Sequence, residues 1–124
     1  MSLKSSFLAA ALLVAGGVEA SGPPTPAGPK GYIVAEVTVT NPSEYEGYRQ
    51  AVSPIVARHG GVYLVRGGRA EMLEGSPAGR VVVIEFPSVA AARAFYDSPE
   101  YQAIVGTRKA NSISRVVLVE GAAP

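Results

Sequence analysis

Apolar positions along this chain follow two different periods. In YIVAEVTV (residues 32–39) they alternate, with Ile33, Ala35, Val37 and Val39 on one side and Tyr32, Val34, Glu36 and Thr38 on the other, which is the two-residue repeat of a strand. The stretch NPSEYEGYRQAVSPIVARHGG then shifts to helical spacing through Tyr45, Tyr48, Val52, Ile55 and Val56. Asn41 is the expected cap, Pro42 takes the first helical position, and Glu44 stands where a capping box places an acid. Pro54 removes one backbone bond and is expected to kink this helix, while Gly60 or Gly61 is expected to end it in the left-handed region.

Strand periodicity returns in VYLVR (62–66). Gly67-Gly68 reads as a bulge before pairing resumes in AEMLE, and GSPAGR reads as a turn. RVVVIEF (80–86) is a third strand that Pro87 stops. Ser88 and Ser98 each stand as a helix cap, the second followed by Pro99, so the second helix is expected to break in two. RVVLVE (115–120) is the fourth strand.

The resulting order, β-α-β-β-α-β, is the split βαβ arrangement of ferredoxin-like domains, an α+β fold with a four-stranded antiparallel sheet. Its helices cover one sheet face and leave the other open. Strands three and four are nearly continuous runs of Val, Ile and Leu, so both faces are expected to be apolar. A second copy of the chain, related by a two-fold axis, buries both open faces at once, and a homodimer is therefore expected.

Composition narrows the possibilities further. The formal charge is +1, from 11 basic and 10 acidic residues dispersed along the chain, with no stripe to meet a nucleic-acid backbone. Cysteine is absent, which excludes disulfides, thiolate catalysis and Cys-ligated metals. The N-terminus, MSLKSSFLAAALLVAGGVEASG, has a basic start at Lys4, an apolar run from Phe7 to Val18 and a Val18-Glu19-Ala20 cleavage pattern. Residues 1–20 are read as a signal peptide; the apolar run is shorter than the about 20 residues of a membrane span. Export to the periplasm or medium is expected, with no membrane contact after cleavage. Residues 21–30, SGPPTPAGPK, form a Pro/Gly-rich linker, residues 31–121 the folded domain and 122–124 a tail.

Several short stretches in one register, GYIVAEVTVTNPSEYEGY, GGVYLVRGG, EMLEG, RVVVIEFPS, FYDSPEYQ, Arg108 and the closing VEG, together resemble the domain-of-unknown-function 1330 (DUF1330) family from Gly31 to Gly121. The resemblance implies a dimeric α+β barrel and brings no reaction with it. The wider superfamily it implies holds cofactor-independent monooxygenases of small aromatic substrates, haem enzymes and ligand-binding proteins. The leader and the Pro-rich spacer depart from many relatives.

HGGVYLVRGGRAEMLEG (59–75) lacks the Lys-Ser/Thr ending of a phosphate-binding loop, and its glycines are read as a helix stop and a bulge. Arg66 and Arg69 require solvent or an acid. Glu85 and Glu36 interrupt neighbouring strands and are the candidate acids. Two readings are open: a buried Arg66–Glu85 ion pair that fixes register between strands two and three, or a catalytic pair with Glu85 as general base and Arg66 as clamp for a small acidic or enolic substrate. His59 ends the first helix, where its dipole favours a cation; a lone histidine is a poor metal site, and no metal or cofactor is expected. Tyr63, Tyr96 and Tyr101 are candidates to line a substrate pocket between sheet and helices, or to pack as core. His59, Arg69 and Arg108 are further candidate contacts, Arg108 also completing the dipole of its helix and matching a polar position in the family pattern. The chain is read as a small-molecule enzyme or binder, or as an interaction module whose charges lock the dimer.

Overall fold

The computed structural model describes residues 28–76 and 79–124; the expected leader and most of the linker lie outside them. Strand β1 (Gly31–Val39) leads to α1 (Pro42–Arg58), β2 (Val62–Arg66), β3 (Arg80–Phe86), α2 (Val89–Asp97), α3 (Pro99–Ala110) and β4 (Ser112–Glu120). The four strands form one antiparallel sheet in the order β2-β3-β1-β4. This is the expected ferredoxin-like architecture, its second helix divided at Ser98.

The helix boundaries follow from local chemistry. The Asn41 side chain accepts a hydrogen bond from the Glu44 amide at 3.5 Å, and α1 continues through Pro54 to Arg58. Gly60 takes φ +81, so it is the glycine that turns the chain out of α1. The Ser88 hydroxyl accepts from the Ala91 amide at 3.0 Å, and that of Ser98 accepts from the Tyr101 amide at 3.1 Å. Ser98 also donates to the Phe95 carbonyl at 2.8 Å, so one buried hydroxyl ends α2 and starts α3.

Side chains of one parity on the sheet meet the helices. Ile33, Ala35 and Val37 of β1 and Val82, Ile84 and Phe86 of β3 are buried there with Val56 of α1 and Phe95 of α2. Phe86 and Phe95 stack with centroids 5.2 Å apart, and Tyr101 extends the cluster at 4.7 Å from Phe95. The opposite parity, including Val62, Val65, Val117 and Val119, forms a helix-free face on which these four valines are 56%, 39%, 54% and 44% exposed. That face is largely apolar, as the sequence indicates, with Glu36, Glu85 and Arg115 set among its valines.

Two expectations are corrected. Strand β4 begins at Ser112 rather than Arg115. Ser112, Ile113 and Ser114 are held in the ladder opposite Val39, Thr38 and Val37, so pairing overrides the weak strand preference of serine. The bulge lies between Tyr63 and Val65, not at Gly67-Gly68, and AEMLE does not resume pairing. Gly67, at φ +72, leaves the sheet after a last bond from its amide to the Val81 carbonyl at 2.7 Å. Leu73, a few residues further on, is 84% exposed.

Candidate functional site

The position of the bulge decides where the charged residues of β2 go. Val62 and Tyr63 lie opposite Glu85 and Ile84, but Val65 and Arg66 lie opposite Val83 and Val82. One extra residue, Leu64, has been inserted, and every side chain after it changes face. Arg66 therefore joins Tyr63 on the helix side, its guanidinium 4.2 Å from the centroid of the Tyr63 ring and donating to the Ser53 hydroxyl on α1.

Glu85 has the opposite parity and stands on the helix-free face. It accepts a hydrogen bond from the Tyr32 hydroxyl at 2.9 Å, with Lys30 Nζ 4.0 Å away. The Tyr32 phenol is held above its ordinary pKa, first by that bond to Glu85 and then by desolvation and the carboxylate charge. The expected Arg66–Glu85 ion pair does not form, because the sheet itself separates the two groups. Glu36 shares the helix-free face with Glu85 but pairs with Arg115, its neighbour on β4, at 4.0 Å.

On the helix side a cavity of about 60 Å³ lies between the sheet and the helices. Its floor is apolar, from Ile33, Ala35, Val82 and Ile84; its walls carry five tyrosines and four arginines. Tyr63, Arg66, Tyr96, Tyr101 and Arg108, all singled out in the sequence, line it. Tyr45, Tyr48, Arg49 and Arg80 line it too, and sequence reasoning misses them. In the sequence Tyr45 and Tyr48 read only as the core stripe of α1, but three-residue spacing on a helix facing a sheet also places two phenols at a cavity wall. Arg80 is hidden by its position at the start of β3, yet its parity with Val82 and Ile84 points it to the helix side. A side chain at Gly67 would come within 2.5 Å of Arg80 Nε, so glycine there leaves room for that guanidinium.

Three candidates lie elsewhere. Arg69 is exposed beyond β2 and is not among the residues lining the cavity. Glu85 is across the sheet. His59 caps α1, its amide bonded to the Ile55 and Val56 carbonyls, and its Nε2 is 3.2 Å from Glu100 Oε1. Its ring is half-buried, with its centroid 6.0 Å from that of Phe95 and the two planes at 74°. Glu100 also accepts from Arg58 Nη2 at 2.7 Å, and the bonds from Arg58 and then His59 hold its pKa below the ordinary carboxylate value. Among the described residues there is no group of three or more His, Cys, Asp or Glu side chains that could hold a metal ion.

The cavity is electrically one-sided. Its lining holds four guanidinium groups and no carboxylate. Arg49 is paired to Glu46 at 2.7 Å, but none of the ion pairs among the described residues involves Arg66, Arg80 or Arg108. Arg108 is the most buried of them, 5% exposed, and its Nη1 donates to Ser114 on β4. Burial alone would lower its pKa; the Tyr101 and Tyr48 oxygens outweigh that and hold it above the ordinary value. The two hydroxyls of Tyr48 and Tyr101 lie 2.8 Å apart, and burial, followed by the neighbouring Tyr101, pushes the Tyr48 phenol far up. The Tyr48 phenol therefore stays protonated at neutral pH and can act as a hydrogen-bond donor.

A family pattern described as a domain of unknown function, DUF1330, matches residues 30–122. The chain belongs to the DUF1330 family. No curated protein matches this DUF1330 chain. Among solved structures it is similar to RPA0582, a protein of unknown function from Rhodopseudomonas palustris, at 24% identity and a TM-score of 0.65, over 77% of this chain and 85% of that one. It is also similar to SnoaB, a cofactor-independent oxygenase from Streptomyces nogalater, at 20% identity and a TM-score of 0.56, over 76% and 94% of the two chains. At these identities the likeness establishes the fold that the DUF1330 chain shares with both.

Proposed function

We propose that this DUF1330 protein is an exported homodimer that binds a small molecule in one pocket per subunit. The observation that carries the reading is the cavity between sheet and helices, where an apolar floor meets a wall of tyrosines and arginines. The leader pattern at residues 1–20 supports export. The apolar helix-free face supports pairing through the sheets, because a patch of that kind on a soluble chain calls for a cover.

The pocket suits recognition better than proton abstraction. Its lining offers donors, from guanidinium and phenol groups, whereas a general base at neutral pH needs a carboxylate or an imidazole. Arg66 takes the part of a ligand contact at the rim, and Glu85 takes a structural part at the sheet-to-sheet contact with Tyr32 beside it. SnoaB, with the same fold, is an oxygenase that needs no cofactor, so an enzyme remains within the scope of this reading.

Native mass spectrometry of protein purified from its own host tests all three parts together. The expected spectrum shows a chain lacking its first 20 residues, a dimer mass, and a retained small molecule lost on collisional activation. A monomer without ligand, or a chain that keeps Met1, would sink the corresponding part.

A further inference from the structure

Resting on that reading of the pocket, the chemistry of its deepest wall narrows the ligand. Arg108 is only 5% exposed, yet has no carboxylate partner among the described residues. Its Nη1 is used by Ser114, but among the described residues its Nε finds no acceptor. A buried N–H without a partner, on a buried cation without a counter-ion, is costly twice over. Nearly all such groups in folded proteins are satisfied by protein, water or a ligand. The tyrosine pair adds a further donor: one hydroxyl of Tyr48 and Tyr101 is satisfied by the other, which leaves the second O–H free to point elsewhere. A guanidinium and a phenol converging on one cavity call for an anion.

The space behind the anionic head limits the rest of the ligand. The cavity of about 60 Å³ is smaller than the roughly 150 Å³ that admits benzene. A second hollow of about 220 Å³ adjoins it, sharing Ile33, Tyr96 and Val116 and adding Leu118 and Arg93. Val116 is 37% exposed although its parity turns it toward the helices, so the helices leave this part of β4 uncovered. We propose that the site takes a small monocarboxylate, its carboxylate seated on the Arg108 guanidinium and its short apolar or aromatic body lying past Tyr96 and Val116 toward Leu118. A carboxylate offers acceptors to the Arg108 guanidinium and the free phenol, and its charge answers the arginines of the lining.

The test is isothermal titration of the host-purified dimer with sodium benzoate, with butyrate, and with benzamide as the uncharged counterpart of benzoate. Benzoate and butyrate are expected to bind, and benzamide to bind at least about tenfold more weakly, the scale of a lost charge-assisted hydrogen bond. Arg108→Met is expected to abolish the preference for benzoate, and Arg108→Lys to restore part of it; the comparison of benzoate with benzamide on the unaltered protein needs neither variant to fold. Equal binding of benzoate and benzamide, or a preference that survives Arg108→Met, overturns the carboxylate proposal while leaving the pocket intact. Failure of all three probes overturns it as well. In that case a neutral molecule retained from the host leaves the pocket reading standing, and an empty host-purified protein removes both.

Discussion

The hydroxyls of Tyr48 on α1 and Tyr101 on α3 meet at 2.8 Å and join the two longer helices at the wall of the cavity. Burial favours the neutral phenol, so the folded chain keeps the Tyr48 proton to higher pH than the unfolded chain does. The contribution is therefore complete below the unfolded pKa of about 10 and is lost as pH rises above it. In urea titrations the unaltered protein is expected to weaken from about pH 10 upward, and Tyr48→Phe to remove part of that slope. At neutral pH, Tyr48→Phe, Tyr101→Phe and the double variant should each cost about 1 kcal/mol, with the double no worse than either single. Additive losses would show that the two hydroxyls act independently.

Glu100 titrates in the other direction. Arg58 and His59 both bond its carboxylate and depress its pKa, so its stabilising effect is present above the ordinary glutamate range and is lost as pH falls through the lower folded value. Because the group is well exposed, the effect is modest and screened by salt. Glu100→Gln is expected to flatten the dependence of the urea midpoint on pH below about pH 5, from the ordinary glutamate range down through the depressed folded value. An unchanged profile in low salt would show that the three-residue cluster contributes nothing to folding.

Much of this arrangement is legible in the order of residues, and the exceptions share one cause. Alternation in β1 and β3, the Asn41, Ser88 and Ser98 caps and the split at Pro99 are local signals, and local hydrogen bonds realise them. The partnership of Arg66 depends instead on the parity of β2 against β3, which one inserted residue reverses. Without a bulge at Leu64, Arg66 would lie opposite Val81 on the face of Glu85, though still four residues from it along β3. Nothing in VYLVR marks Leu64 as that residue, since it is apolar like its neighbours and is not glycine. Tyr48 and Arg80 escape notice for a related reason. Each reads as ordinary within its own element, and only the meeting of α1, α3 and β3 makes them parts of one wall.

Ser98 links stability to the site because the helix it caps carries both Tyr101 and Arg108. Its buried hydroxyl accepts from the Tyr101 amide and donates to the Phe95 carbonyl, so Ser98→Ala leaves the Tyr101 amide without its partner, while the Phe95 carbonyl keeps the bond from the residue 98 amide at 3.2 Å. The expected loss is about 1–2 kcal/mol, within the range for a helix cap. Ser98→Asp keeps an acceptor for the α3 amides but cannot donate when ionised, and should recover only part of that loss. Chemical denaturation of both variants checks the ordering; an alanine variant as stable as the unaltered chain would mean that water replaces the hydroxyl.

Val117 tests the helix-free face most directly. It lies opposite Val34 in the ladder and is 54% exposed in the single chain, so by itself a polar substitution there should move stability by no more than about 0.5 kcal/mol. If two sheets meet through this face, the same position is buried at the contact, and a charge placed there must be stripped of water without a partner. Val117→Glu is therefore expected to turn a sedimenting dimer into a monomer while the far-ultraviolet circular dichroism stays unchanged. The exposed end of α1 provides the control: Glu46→Gln, which alters only the pair with Arg49 and a bond from Gln50, should leave the dimer intact. A Val117→Glu protein that still sediments as a dimer would place the contact on another surface, and an unaltered protein that sediments as a monomer at micromolar concentration would show that this apolar sheet face is left uncovered.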